Sequence, residues 1–136
     1  MRDEFRLAAI SAAFLISFST AVYAADEPTT SKGVSGKVTG TIPLQGMFAG
    51  SDGLQMRSRE ITIAPGGRIA LHSHENRPEL VYLIEGEVTD HRVSEDRIVV
   101  GTAGMTMTEP AVVTHWIENS GTIPVRAIVI DIVPVK

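Results

Sequence analysis

From Lys37 onward the apolar positions fall in short runs rich in Val, Ile and Thr, interrupted by polar residues at roughly every second place. The runs are KVTGTI, LQMRSREITIA, GRIALHSH, ELVYLIEG, EVTDHRV, RIVVG, MTMTE, THWIEN and VRAIVIDIV. A period of two puts alternate side chains on opposite faces of an extended chain, the signature of a half-buried strand. Turn-forming stretches separate the runs, among them Ala64-Pro65-Gly66-Gly67, Glu85-Gly86-Glu87 and Asn119-Ser120-Gly121. No window beyond residue 25 sustains a 3.6-residue period. The pattern predicts an all-β domain of about eight or nine strands, a sandwich or a barrel.

The N-terminal quarter has a different pattern. Leu7 to Phe18, LAAISAAFLISF, is continuously apolar and uncharged, and small residues follow it in STAVYAADE. This reads as a secretory signal peptide over residues 1–24, with Val22 and Ala24 the small pair before a cut, and it places the product in the periplasm or outside the cell. The rival is an uncleaved anchor, since Leu7 to Ala25 is uncharged and just long enough to span a bilayer. Asp3 and Glu4 offset Arg2 and Arg6 at the start, which is untypical of a signal. Residues 25–36, ADEPTTSKGVSG, are polar and read as a flexible tether, leaving 37–136 as the folded domain.

Composition narrows the function. The net charge is -4 and no basic patch appears, which argues against a nucleic-acid partner. The absence of cysteine removes disulfides, thiol nucleophiles and soft-metal sites together. An exported domain of this size then depends on its core, on a metal or on oligomerisation. No Ser-His-Asp arrangement is evident, so any chemistry would have to be carried by a metal.

His72 and His74 are two apart, so on a strand both imidazoles leave one face, a separation suited to two ligands of one cation. Glu79 opens the apolar run Glu79 to Ile84 with the parity of Val81 and Leu83, so its carboxylate points inward. Burying it unpaired would be costly. His115, in THWIEN, is a further histidine on a strand-like run, and His91 in Thr89-Asp90-His91-Arg92 reads as a solvated residue of an outer hairpin.

These residues resemble the two motifs of the cupin superfamily. The first, glycine, five residues, His-x-His, three or four residues, Glu, six residues and glycine, is matched by Gly66, His72, His74, Glu79 and Gly86. The second is matched by Gly104, Pro110, His115 and Asn119, with Val112 where the pattern has glycine. Valine does not take a positive φ easily, so the turn before His115 is expected to differ. The resemblance implies a single double-stranded β-helix, or jelly-roll, barrel. It also implies that His72, His74, Glu79 and His115 bind one divalent metal, Fe, Mn, Ni or Zn, with Fe or Mn favoured.

Strand parity suggests the surroundings. Arg68 shares the face of His72 and His74 and is the candidate substrate-binding residue, a fork for an anion. Arg57 and Arg59 share parity with Ile61 and Ile63. Trp116 and Tyr82 face away from the ligands, toward a core between sheets or a dimer contact, while Met105 and Met107 read as cavity lining or core rather than ligands. The leading expectation is an exported metal-dependent oxygenase acting on a small oxygenated or anionic molecule, with Glu79 as metal ligand and proton acceptor. Against it stand a non-catalytic module that binds or senses a small ligand or the metal, and a metal that only supports the fold. A homodimer is expected from the resemblance, with no stable membrane insertion after cleavage.

Overall fold

The computed structural model describes residues 27–136. Residues 1–24, expected to be a signal peptide, and the first two residues of the expected tether lie outside the described residues. Eight strands follow in chain order: β1 (Lys32–Pro43), β2 (Leu54–Ser73), β3 (Glu79–Glu85), β4 (Glu87–Arg92), β5 (Arg97–Thr102), β6 (Thr106–Glu109), β7 (Thr114–Glu118) and β8 (Val125–Pro134). A single 3-10 turn, Val93–Glu95, joins β4 to β5. Every pairing is antiparallel, in the order β5-β4-β7-β2-β8-β3-β6, with β1 added on β2.

Nine apolar runs become eight strands because LQMRSREITIA and GRIALHSH form one. The Ala64-Pro65-Gly66-Gly67 stretch, expected to reverse the chain, bends it instead. Residues 54–63 pair with β8 and residues 68–73 with β7, so β2 passes from one half of the continuous, curled sheet to the facing half. Strands that turn such corners need a bend or bulge. Gly66 supplies one with φ +70°, and a Cβ on Gly67 would meet the Ala64 carbonyl at 2.7 Å and the Lys32 carbonyl at 2.9 Å. Asn119 pins the corner from the far side. Its side-chain amide donates to the Ile63 and Ile123 carbonyls, and its backbone exchanges hydrogen bonds with Gly66 and Gly67.

The domain begins earlier than the polar composition of residues 25–36 suggests. Lys32 to Gly36 belong to β1, which lies along β2. Gly36 permits this approach, since a Cβ there would come within 2.5 Å of Ile61 Cδ1. Upstream, Ser31 Oγ accepts from the Ala70 N–H and the Pro28 carbonyl accepts from the Leu71 N–H.

Inward positions of the alternating strands form one core, including Ile63, Val81, Leu83, Val88, Met107 and Val129. Leu83 is 1% exposed, and truncating such a residue to alanine costs about 2–5 kcal/mol. The end strands of the sheet order meet at Gly101, where a Cβ would lie 2.6 Å from Met107 Sδ and 2.8 Å from Leu83 Cδ1. The barrel is thereby nearly closed. The cavity lies among these inward faces, with a volume of about 320 Å³.

Candidate metal centre

Two neighbouring strands and one loop deliver the histidines. His72 on β2 sits opposite His115 on β7, and His74 follows the end of β2, where its N–H donates to the Val113 carbonyl at 2.9 Å. The turn before His115 closes with the Val113 N–H on the Pro110 carbonyl. Val112 is not among the positive-φ residues, which outside glycine are only Asn76 and Asp96 among the described residues. The motif's glycine is thus replaced without backbone strain, and Val112 is 75% exposed.

The three imidazoles converge through Nε2. His74 Nε2 is 2.9 Å and His72 Nε2 3.2 Å from His115 Nε2. Each Nδ1 faces an oxygen that only accepts: Ala70 O for His72 at 2.8 Å, Arg77 O for His74 at 3.2 Å, and Asp90 Oδ1 for His115 at 2.7 Å. Each Nδ1 therefore carries the proton, and the three Nε2 lone pairs point at one another. Nothing among them donates. A cation relieves the repulsion, and with metal–nitrogen bonds of about 2.1 Å, ligands on adjacent positions stand ~3 Å apart.

A proton is disfavoured in that role. Burial, then the repulsion that two protonated rings would feel between His74 and His115, depresses His74 to about 4, and burial also lowers His72. Asp90 meanwhile orients His115, in the way a carboxylate fixes an imidazole that is to ligate a metal. Asp90, Glu109 and His115 form a second cluster of metal-ligating side chains, all buried. Arg92 binds it together, donating to Asp90 at 2.8 Å and to both Glu109 oxygens at 2.9 and 3.0 Å. Burial pushes the Glu109 carboxyl up to about 7.

Glu79 is not part of either group. It lines the cavity, but Arg59 and Arg77 both donate to its Oε2, at 2.9 and 2.7 Å. Its Oε1 has no hydrogen bond among the described residues. Burial raises the Glu79 carboxyl, against the pull of Arg77 and Arg59. Asp131 takes Arg57 through both oxygens, at 3.0 and 2.7 Å, and Arg59 at 2.9 Å. Burial alone would raise Asp131, but the Arg57 hydrogen bond and the charges of Arg59, Arg57 and Arg77 hold it low.

Arg68 is exposed and lies outside the cavity lining, which includes Ile69 and His72 instead. The physical reason is a bulge. Three steps along β2 from Ile69 to His72 match two along β7 from Ile117 to His115, so parity inverts between Arg68 and His72. Arg59, before the corner, faces the cavity, as does Arg77 from the loop. His91 is no solvated hairpin residue. It stacks on Trp116 with ring centroids 3.7 Å apart and bonds Glu118 at 3.0 Å. Trp116 is buried, whereas Tyr82 is 48% exposed, so no core forms over Tyr82. Met107 is buried in the cavity wall and Met105 is exposed.

Parity also marks acids that the sequence reading passed over. Asp131 alternates with Val129 and Val133, Asp90 with Val88, and Glu109 with Met107. The signal used for Glu79 finds all three.

Comparison with known proteins agrees with this geometry. A germin-like protein from Morus alba is 31% identical over 98 residues, covering 65% of this chain and 47% of the relative, so the chain spans about half the length of that relative. A predicted oxalate decarboxylase from Thermotoga maritima is similar in structure, with TM-score 0.51, 22% identity, and 59% of this chain and 80% of that one covered. The cupin domain of an XRE family transcriptional regulator from Enterobacter cloacae superposes with TM-score 0.55 at 16% identity, covering 74% of this chain and 96% of that one. A family model described as a cupin domain matches residues 59–131, more than half of the sequence. With its nearly closed antiparallel barrel and a histidine cluster of the kind that could hold a metal, this chain is a member of the cupin family.

Proposed function

We propose that this cupin is an exported metal-dependent enzyme of the oxygenase type, acting on a small oxygenated or anionic molecule. One observation carries the reading: three imidazoles, each fixed through Nδ1, aim unprotonated Nε2 atoms at one point beside a cavity of about 320 Å³. That volume is at the small end of ligand sites. Fe or Mn is favoured, because three imidazoles with a carboxylate nearby suit these metals and leave positions for substrate. When bound, the metal supplies Lewis acidity and, with dioxygen, redox capacity.

The protein's own groups supply position and proton traffic. Asp90 holds His115 in the tautomer with Nε2 free. Arg59 and Arg77 hold Glu79 by Oε2, which leaves Oε1 to ligate the metal or to accept a substrate proton. Burial raises the proton affinity of Glu79, as a base working near neutral pH requires. Beyond the charged groups the cavity walls are aliphatic, formed by Ile61, Leu83, Val88 and Val125. Export rests on the apolar Leu7–Phe18 stretch and its small-residue site. Pairing into a homodimer is supported by the outward faces of β3 and β8, where Leu80, Tyr82, Ile84 and Ile130 are 40–49% exposed and Leu80 sits opposite Ile130.

A second reading, a binding module without turnover, is favoured by the coverage of 96% of the regulator's cupin domain. Oxygen uptake by the Fe(II)-loaded protein over diketones, phenols and small acids separates the two. Consumption with at least one class, lost in His115→Ala, supports the enzyme; a fully loaded protein that binds ligands without consuming oxygen supports the module. Glu79→Gln with metal retained and turnover unchanged would remove Glu79 from proton transfer.

A further inference from the structure

The cavity is polar at one end only. On one half of the sheet, register sets Arg57, Asp131, Glu79 and Glu109 in a row, followed by Arg59, Val129, Val81 and Met107. The next rows are aliphatic: Ile61, Ala127 and Leu83, then Ile63 and Val125. On the facing half His72, His115 and Arg92 form one row, and moving away from them Ile69 and Ile117 line the wall, with Val88 beyond. Histidines and charges therefore share one end, and the other offers only hydrocarbon.

Charge at the polar end is matched before a metal arrives. Arg57, Arg59, Arg77 and Arg92 face Asp90, Glu109, Asp131 and Glu79, four against four when all are ionised. A divalent cation on the histidines adds two positive charges inside a wall of low dielectric, where uncompensated charge is costly. In addition, Arg59 Nε is a buried donor with no hydrogen-bond partner, on a side chain that lines the cavity. A ligand oxygen bearing negative charge satisfies both conditions. Sugar acids and dicarboxylates also carry such an oxygen, but they would bury their remaining polar groups unpaired against Ile61, Leu83 and Val125.

We propose that the cavity binds a small monocarboxylate with an apolar body, its carboxylate at Arg59 and the histidine end and its hydrocarbon among Ile61, Leu83, Val88 and Val125. This rests on the three histidines being the metal site. Arg59 is then a specificity-determining residue, reading the head group by charge and forked donors.

Calorimetric titration of protein loaded with Zn, which has no redox chemistry, tests it using benzoate, hexanoate, benzyl alcohol, gluconate and oxalate. Benzoate and hexanoate are expected to bind about tenfold or more tighter than the alcohol, the scale of a charge-assisted hydrogen bond. Arg59→Gln should erase that margin and leave the alcohol's affinity unchanged. Should Arg59→Gln not fold, Ala127→Met, which fills the hydrocarbon end, should abolish benzoate binding with metal content intact. Equal binding of acid and alcohol, or tighter binding of gluconate or oxalate than of benzoate, overturns the proposal. Repeating the titration on chelated protein separates the failures. Metal retained without carboxylate preference sinks this inference alone; carboxylate preference in a protein that takes up no metal sinks the metal reading alone.

Discussion

Two clusters of arginine and carboxylate flank the histidines, and they are built to opposite balances. Around β4, Arg92 alone faces Asp90 and Glu109, and all three are at most 5% exposed. Around β2, Arg57, Arg59 and Arg77 face Glu79 and Asp131, and the arginines are 20–28% exposed. The first cluster is sealed and one cation short, and it steers His115. The second opens on the cavity and holds one cation more than its acids. Removing a sealed partner strands charge where water cannot reach it, whereas the open cluster has spare donors and some solvent.

The largest effect expected from this contrast is on stability. Arg92→Met leaves two buried carboxylates and should cost about 3–5 kcal/mol, while Arg57→Met, with buried Asp131 still held by Arg59 and Arg77, should cost less, about 1–3 kcal/mol. Urea unfolding of the two variants measures this, and equal losses would erase the distinction.

Next in size is a pH effect in the metal-free protein. His74 is depressed from 6.5 to about 4, so the unfolded chain takes up the proton first. Its stabilising contribution is complete above pH 6.5 and drains away as pH falls toward 4, by up to about 3 kcal/mol. Glu109, raised from 4.5 to about 7, works in the opposite sense: its contribution is complete below pH 4.5 and lost as pH rises toward 7. The two offset each other in the native chain. Glu109→Gln removes one side, so its melting temperature, measured in chelator, should fall more steeply than that of the native protein between pH 7 and 4. Parallel curves would mean that the sealed cluster does not set the pH response.

The smallest expected effect sharpens the comparison at the metal. Asp90→Asn should weaken metal binding by about 10–100-fold, because Asp90 holds a ligand imidazole. Asp131→Asn, which touches no histidine, should change it by less than about threefold. Competition with a chromogenic chelator reads both.

The strands were legible because their alternation is local, and the histidines because two motifs carry their spacing across the chain. The corner in β2 was not legible, since Ala64-Pro65-Gly66-Gly67 looks the same whether the chain reverses or bends; the partners of residues 54–63 and 68–73 decide. Arg68 was misplaced for a related reason. Parity is a local rule, and one extra residue between Ile69 and His72 inverts it. The arginine that faces the cavity, Arg59, reaches it from the far side of that corner. Asp90, Glu109 and Asp131 were within reach of the rule that found Glu79, but their pairing with Arg92, Arg57 and Arg59 is tertiary.

Because β2 is continuous, Arg59 and His72 are thirteen residues apart on one crease of backbone. The span between the group that grips an anion and the group that grips a cation is therefore gauged by a fold in a single ribbon. It does not depend on how separate pieces happen to settle. Gly67 sits in that crease, where even a methyl group would press on the Ala64 and Lys32 carbonyls. A change there would alter the bite of the site from a place no ligand touches.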